Sequence, residues 1–216
     1  MENVLKKIII ADDHAVVRTG LQLIFDETSD LSIEDEALTG DELLEKLKSN
    51  TYDLVILDIF MPGKDSLDVL KEIKNSWPDL PVVIFTMNPD DIYAIRMIRN
   101  GASAFINKET QPGEIIETIR KVLSGKKHFT PEQSEMLAEL VSVSSQNKQP
   151  IHEALTDREF QIMILLASGT KKSEITRKLS ITKNTLNNHR NNILKKMNME
   201  SATELTRYAI QQGIIK

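Results

Sequence analysis

Between residues 7 and 123, short apolar runs alternate with stretches whose apolar residues recur at helical spacing. Runs such as 8–10 and 54–57 are apolar at consecutive positions, which is typical of central parallel strands covered on both faces. The predicted strands are Lys7–Asp12, Leu31–Ala37, Asp53–Asp58, Pro81–Thr86 and Ala102–Ile106. Helices are predicted over 14–28, 40–49, 65–75, 89–100 and 112–123. Five such units predict a doubly wound α/β domain with a five-stranded parallel sheet.

The second half of the chain has a different pattern. A predicted helix over Pro131–Val141 leads into a Ser- and Gln-rich stretch without apolar periodicity, which predicts a flexible linker. Beyond it, the segments 156–159 and 201–204 fit the S/T-x-x-E capping box of a helix start. We therefore expect a first domain at 1–128, a linker helix and flexible linker at 129–150, and a small all-α domain at 151–216.

Residues 155–197 have the order of elements that a helix-turn-helix requires. A helix ends near Gly169, a short helix starts at Ser173, and a turn at 180–182 precedes a longer helix. One face of the longer helix is predicted to be a buried stripe, formed by Leu186, His189 or Arg190, Ile193 and Met197. Another face, here called the reading face, consists of Asn184, Asn187, Asn188, Asn191 and Lys195.

Asparagine forms helices poorly, so several on one face indicate a use other than helix stability. The asparagine amide can form two hydrogen bonds with adenine in the major groove. The basic residues of this helix can neutralise phosphates: Lys183, Arg190, Lys195 and Lys196. A solvated face in a protein rich in Asn and Lys is the open alternative. The predicted DNA-contacting residues are Lys183, Asn184, Thr185, Asn187, Asn188, Arg190, Asn191 and Lys195.

Charge is distributed unevenly along the 216 residues, whose net charge is −5. Residues 150–216 carry 11 Lys and Arg against 6 Asp and Glu, a net +5, while the preceding residues carry 16 against 26, a net −10. A basic second half suggests nucleic-acid binding, or an ordinary solvated surface. The chain has no cysteine, and its first apolar run, 8–11, is too short for a signal peptide or membrane span. We expect a cytoplasmic protein without membrane contact.

Five residues that suit phosphoryl chemistry lie at or just after the ends of four predicted strands, and we call this group the acidic pocket. They are Asp12, Asp13, Asp58, Thr86 and Lys108. Clustered carboxylates need a cation, and an all-oxygen site suits Mg²⁺. With that charge balanced, an aspartate can attack a phosphoryl donor while a lysine and a hydroxyl bind the transferred oxygens. Each residue alone has an ordinary structural explanation, so their joint placement carries the prediction.

Four segments resemble the receiver domains of two-component response regulators, with their flavodoxin-like fold: IIIADDH at 8–14, DLVILDIFMPG at 53–63, PVVIFTM at 81–87 and GASAFINKET at 101–110. The resemblance implies that Asp58 accepts phosphate and that Thr86 and Lys108 hold it. It further implies that Asp13, Asp58 and the Phe60 carbonyl bind Mg²⁺, with Asp12 acting through water. Phe105 matches the family's switch aromatic, or is simply a core residue.

Two positions depart from the receiver pattern. Ser66 stands where a glycine is usual, which suggests an altered loop because serine does not adopt positive φ cheaply. Glu109 stands where proline is frequent, which puts in doubt the cis-proline turn common in the family. Phe60 and Asn88 would flank the phosphoryl group, and the apolar ring of Phe60 predicts slow self-dephosphorylation.

The segments LTDRE, SEITRKL and TKNTLNNHRNNILKKM resemble the LuxR-type helix-turn-helix of the NarL/FixJ subfamily, although Asn187 replaces its usual lysine. The resemblance implies a phosphorylation-controlled transcription factor that is not an enzyme beyond its own phosphorylation and dephosphorylation. Implied partners are a sensor histidine kinase, paired DNA half-sites, RNA polymerase and a second copy, through the receiver and a last helix from Ala202 to about Gln212. Alternatives are a phosphorylation-independent DNA-binding regulator and a phosphotransfer enzyme with an aspartyl-phosphate intermediate.

Overall fold

A computed structural model describes residues 5–87, 91–131, 133–135, 150–179 and 181–215, with backbone only at 91–93 and 157. The chain divides into two compact units, and the main division falls between Thr130 and Pro131. Asn88, most of the predicted linker and residue 180 of the predicted turn lie outside the described residues. None of the described helices combines the length and the apolar character that crossing a bilayer requires.

The first unit is a five-stranded parallel sheet with the strand order β2-β1-β3-β4-β5, as the predicted doubly wound class requires. The strands are β1 Lys6–Ala11, β2 Leu31–Ala37, β3 Leu54–Leu57, β4 Val82–Thr86 and β5 Ala104–Asn107. The helices are α1 Ala15–Asp26, α2 Gly40–Ser49, α3 Ser66–Ser76, α4 Asp91–Arg99 and α5 Pro112–Leu123. All ten predicted elements are confirmed, with ends shifted by at most two residues.

The runs of consecutive apolar residues lie in the interior of the sheet. Every residue of β3 is buried, and Ile8 and Ile10 of β1 pack in one core cluster with Phe25 of α1 and Ile119 of α5. Full burial of such a side chain stabilises the fold by about 1.5–3 kcal/mol. This packing fixes how the strands lie against the helices, and so it sets the positions of the residues at the carboxyl ends of the strands.

The second unit is all helical. A short 3₁₀ helix at Ile151–Ala154 precedes four α-helices, α6 Asp157–Ala167, α7 Lys172–Lys178, α8 Lys183–Lys196 and α9 Ala202–Gln211. The core includes the fully buried Phe160, Ile175 and Ile193. The predicted order of a helix-turn-helix is therefore confirmed, and α8 is the longer helix that carries the reading face.

Of the two capping boxes predicted in the second unit, one forms completely. Thr156 and Glu159 bond reciprocally at the start of α6. At α9, the Ser201 hydroxyl accepts the Glu204 amide, but the Glu204 carboxylate accepts the backbone N–H of Glu200 at 3.1 Å. The prediction at 201–204 is therefore half wrong, because the carboxylate reaches one residue further back.

Candidate phosphoacceptor pocket and nucleic-acid interface

The structure brings the predicted acidic pocket together at one edge of the sheet. Asp12 follows β1, Asp58 follows β3 and Lys108 follows β5, and each of these side chains is at most 3% exposed. The Lys108 ammonium nitrogen lies 2.7 Å from Asp12 Oδ2 and 3.0 Å from Asp58 Oδ2. One buried cation therefore bridges two buried carboxylates that are 46 residues apart in the chain.

Burial and neighbouring charges shift the pKa of Asp58 in opposite directions. Burial raises the pKa of Asp58 above its ordinary value, because desolvation disfavours the carboxylate. The Lys108 ammonium opposes this rise, the neighbouring Asp12 carboxylate adds to it, and a hydrogen bond from the Phe60 backbone opposes it. The net direction is upward, because desolvation outweighs the lowering effects of Lys108 and the Phe60 backbone.

Asp13 completes a group of carboxylates that fits a hard cation. Asp12, Asp13, His14 and Asp58 each offer a ligand atom, and these atoms lie within 4.8 Å of one another. Opposite ligands of an octahedral Mg²⁺ are about 4.2 Å apart, since each Mg–O distance is about 2.1 Å. Small side-chain movements would therefore bring the carboxylate oxygens to the spacing that this ion requires.

His14 is a neighbour that sequence reasoning missed. Its Nδ1 lies 2.9 Å from Asp13 Oδ1 and 3.2 Å from Asp12 Oδ1. Its backbone N–H donates to Asp12 Oδ1 at 2.8 Å, which helps to fix that carboxylate. The available signal was its position immediately after the aspartate pair.

Thr86 has the burial and the chemistry of a phosphate-binding hydroxyl. It ends β4 with no exposed surface, and its Oγ1 has no hydrogen-bond partner among the residues that the structure describes. A buried hydroxyl without a partner is unfavourable by about 1–3 kcal/mol. A phosphoryl oxygen in the pocket would satisfy it.

Phe105 lies on the same side of the sheet as Thr86. It pairs with Ile84, two residues before Thr86, so the three side chains share a face. At 6% exposure, Phe105 is a core residue in this structure. In receivers, the family that this unit resembles, the ring of the switch aromatic turns inward when the threonine moves toward the phosphate. A phosphate-dependent movement of Phe105 stays a prediction.

The loop after Asp58 adopts its course without strain at Ser66. This residue is the first of α3, it has no positive φ, and its hydroxyl donates to the Ile59 carbonyl. The positive φ falls on Gly63, at +88°, where an added Cβ would meet Asp41 Oδ2 at 2.8 Å. The expected disturbance at Ser66 is therefore absent, because a different residue makes the turn.

The turn after Lys108 is held by a side chain that sequence reasoning did not single out. Asn107 Oδ1 accepts the Glu109 amide at 2.9 Å, and the Asn107 carbonyl accepts the Thr110 amide at 2.9 Å. The Lys108 amide donates to the Thr86 carbonyl at 2.9 Å. In the described ranges every peptide bond is trans, so no cis-proline turn exists at Glu109.

The two predicted faces of α8 are confirmed by burial. Leu186, Ile193 and Met197 are buried, His189 and Arg190 are half-buried, and Leu194 is an additional buried residue. Every residue of the reading face is exposed, as is Lys183. Thr185 is half-buried, and its hydroxyl lies 2.8 Å from the Thr182 hydroxyl at the helix N-cap.

Lys196 has a different environment from the one that sequence reasoning suggested. Its ammonium lies 2.6 Å from Glu159 Oε2, a carboxylate that also caps α6. Burial raises the pKa of Glu159, but the bonds from Lys196 and Thr156 outweigh it and lower the pKa below its usual range. Lys196 therefore links α8 to α6 through an ion pair. In this structure its ammonium has a structural role and is engaged by Glu159.

Two family models match the chain. Residues 8–120 match the response regulator receiver domain, and residues 153–209 match the luxR family of bacterial regulatory proteins. The first match contains every residue of the acidic pocket, and the second contains α6, α7, α8 and most of α9.

Relatives match over nearly the whole length. The chain is 34% identical to the oxygen regulatory protein NreC of Staphylococcus carnosus (strain TM300), over 97% of this chain and 99% of that protein. It is 27% identical to the response regulator UvrY of Escherichia coli (strain K12), over 96% and 94%. A solved structure of two RcsB dimers bound to two parallel DNAs shares the fold, with a TM-score of 0.60, 22% identity, and coverage of 95% and 98%.

Proposed function

This chain belongs to the two-component response regulators of the NarL/FixJ subfamily, and from that premise we propose that phosphorylation of Asp58 controls its binding to DNA. The single observation that carries the proposal is the buried bridge from Lys108 to Asp12 and Asp58, beside the Thr86 hydroxyl, which has no partner among the described residues. This arrangement holds the Asp58 carboxylate, the nucleophile, next to the Lys108 ammonium and the Thr86 hydroxyl, two groups that bind phosphoryl oxygens. The domain limits at 128 and 151 are part of this proposal.

The chemistry follows from the groups in the pocket. A carboxylate oxygen of Asp58 attacks the phosphorus of a donor, the bond from phosphorus to the donor atom breaks, and an aspartyl phosphate forms. The Lys108 ammonium and the Thr86 hydroxyl bind oxygens of the transferred group. We propose a phosphohistidine of a sensor kinase as the donor, and no enzymatic activity beyond this self-modification.

The carboxylates of Asp13 and Asp58, with the Phe60 carbonyl, are the proposed Mg²⁺ ligands, and Asp12 acts through water. When bound, Mg²⁺ supplies the positive charge that the phosphoryl oxygens need during transfer. The ligand atoms of Asp13 and Asp58, which lie within 4.8 Å of each other, support this assignment.

The readout is proposed to pass through Thr86 and Phe105. A phosphoryl oxygen that binds Oγ1 draws Thr86 toward Asp58, and the space this leaves on the shared face favours the inward ring of Phe105. The two side chains face the same side of the sheet on neighbouring strands, so a movement of Thr86 acts close to Phe105.

The proposed DNA contacts are made by α8. Its exposed Asn and Lys residues are presented on one face, while the opposite stripe anchors the helix in the core. Two-fold paired half-sites imply a dimer, proposed to form through the receiver and α9. RNA polymerase is a further proposed partner at the promoter.

The proposal is tested with full-length protein, genomic DNA fragments, acetyl phosphate and Mg²⁺. Phosphorylated protein should carry about one acid-labile phosphate per chain and retain a defined set of fragments more tightly, whereas Asp58→Asn should do neither. Equal DNA retention with and without phosphate would support the phosphorylation-independent alternative. Turnover of small phosphoesters would support the phosphotransfer enzyme.

A further inference from the structure

A cleft of about 610 Å³ opens at the edge of the sheet opposite the acidic pocket. Its floor consists of residues at the amino ends of strands: Lys6 begins β1, and Asp53, Pro81 and Ser103 immediately precede β3, β4 and β5. The length of the strands separates this edge from Asp58 by about 15 Å. The cleft is therefore independent of the phosphoacceptor chemistry.

The walls of the cleft combine apolar surface with lysines, and we call it the basic cleft. They come from the ends of α3 and α5 and the loops that follow: Lys74, Pro78, Asp79, Val122, Leu123, Gly125, Lys126 and Lys127. The volume is in the range of small-molecule sites, and charged residues supply much of the lining, which suits a charged ligand.

The charges that line the basic cleft do not cancel. The Asp53 carboxylate is already compensated, because Lys6 Nζ lies 2.8 Å from it and the Lys7 amide donates to it at 2.9 Å. Within the part of the chain that the structure describes, neither Lys126 nor Lys127 has a carboxylate within ion-pair distance. The remaining cleft charges are three lysines against one aspartate, Asp79, so the site favours an anion.

Lys74, one of these three lysines, is held in place by its contacts. Its ammonium donates to the Leu80 carbonyl at 2.6 Å. Its stem lies against Gly101, where an added Cβ would come within 3.0 Å of Lys74 Cγ. Burial lowers the pKa of Lys74, and the nearby Lys127 lowers it further, against the opposing effect of Asp79. A bound anion would relieve the repulsion between these ammonium groups.

We propose that the basic cleft binds a phosphorylated small molecule about the size of a mononucleotide. The phosphate oxygens contact Lys126, Lys127 and the ammonium of Lys74. The less polar part of the ligand packs against Pro78 and Leu123, which border the same cleft. The site is separate from the proposed function, and its occupation does not require phosphorylation of Asp58.

The test is calorimetric titration of full-length protein with ATP, pyrophosphate and adenosine in the absence of Mg²⁺. Without Mg²⁺ the acidic pocket repels phosphates, so it does not contribute to the signal. ATP should bind saturably at one site per chain, pyrophosphate more weakly, and adenosine not measurably. The double variant Lys126→Gln/Lys127→Gln should raise the dissociation constant for ATP by about tenfold or more, because it removes two charge-assisted contacts.

The matched control is Lys48→Gln/Lys121→Gln, which removes the same charge at two exposed positions outside the cleft. Its dissociation constant for ATP should equal that of the wild type. An equal loss in both double variants would overturn the proposal, since it would mean general electrostatic attraction or binding elsewhere. So would the absence of saturable ATP binding, and pyrophosphate that binds as tightly as ATP would overturn the role of the apolar wall.

Discussion

The ammonium nitrogen of Lys108 lies 3.0 Å from Oδ2 of Asp58, and both side chains are almost completely buried. Since Lys108 also contacts Asp12 at 2.7 Å, its removal leaves two carboxylates close together without a cation. Lys108→Met should therefore lower the free energy of unfolding by about 3 kcal/mol, as expected when one partner of a buried ion pair is removed. Added Mg²⁺ should recover part of that loss.

Urea denaturation with and without Mg²⁺ measures this effect. The exposed Lys121, whose ion pair with Glu117 lies on the surface of α5, provides the control substitution Lys121→Met. That control should change the free energy of unfolding by less than about 1 kcal/mol. If both variants lose equal stability, or Mg²⁺ has no effect on Lys108→Met, the Lys108 bridge is not the main source of charge balance.

Thr86→Val should separate stability from signalling. Valine has nearly the same shape but lacks the buried hydroxyl that has no partner among the described residues, so the unfolding free energy should rise by about 1 kcal/mol. Asp58 should still accept phosphate, while the phosphate-dependent gain in DNA affinity should disappear. Denaturation, acid-labile labelling and DNA titration report these three quantities separately.

A matched control for Thr86→Val is Thr28→Val, since the Thr28 hydroxyl donates to the Phe25 carbonyl at 2.8 Å. Removing that satisfied hydroxyl should lower stability and leave the DNA response intact. A Thr86→Val protein that still gains DNA affinity on phosphorylation would rule out the proposed coupling to Phe105.

Substitutions on α8 should impair DNA binding in two different ways, by changing its sequence preference or its overall affinity. Asn187→Ala and Asn191→Ala should relax the sequence preference, whereas Lys195→Ala should weaken binding to all DNA about equally and flatten its salt dependence. The exposed Asn192, outside the reading face on the same helix, is the control for Asn→Ala. Affinities for specific and scrambled DNA at several salt concentrations distinguish the cases. Uniform losses in every variant would favour the solvated-face explanation.

The half-buried Phe60 should slow the loss of the phosphoryl group. Its apolar ring cannot orient an attacking water by hydrogen bonding, so Phe60→Asn and Phe60→Glu should shorten the lifetime of the aspartyl phosphate. Phosphate release is timed in wild type and both variants at saturating Mg²⁺. Equal or longer lifetimes in the variants would reject shielding by Phe60. The flanking Asn88 lies outside the described residues.

His189 should make the second unit less stable in acid. Burial, and after it the nearby Arg158, lowers the pKa of His189 below its ordinary value, against the opposing effect of Glu159. As the pH falls, His189 therefore takes up its proton in the unfolded chain before it does so in the folded one. The free energy of unfolding is at its full value above the unfolded-state pKa of His189, and it decreases as the pH falls toward the folded-state pKa. Unfolding of the second unit, followed between neutral and mildly acidic pH, should show a smaller pH dependence in His189→Gln. An unchanged profile would contradict this role of His189.

The sequence by itself determined the elements and much of the chemistry, since both depend on local patterns. Consecutive apolar residues such as Ile8 to Ile10 and the helical spacing of Leu186 and Ile193 are properties of short segments, and the structure confirms them. Parallel strands bring their carboxyl ends to one edge, so the gathering of Asp12, Asp58 and Lys108 followed from position alone. The flavodoxin-like order of the strands, in contrast, came from the resemblance to receivers.

Only the tertiary structure decided which atoms meet, because contacts between distant segments depend on packing and side-chain rotamers that no local pattern contains. It placed one lysine between two carboxylates, left Thr86 Oγ1 without a partner among the described residues, and directed Lys196 to Glu159.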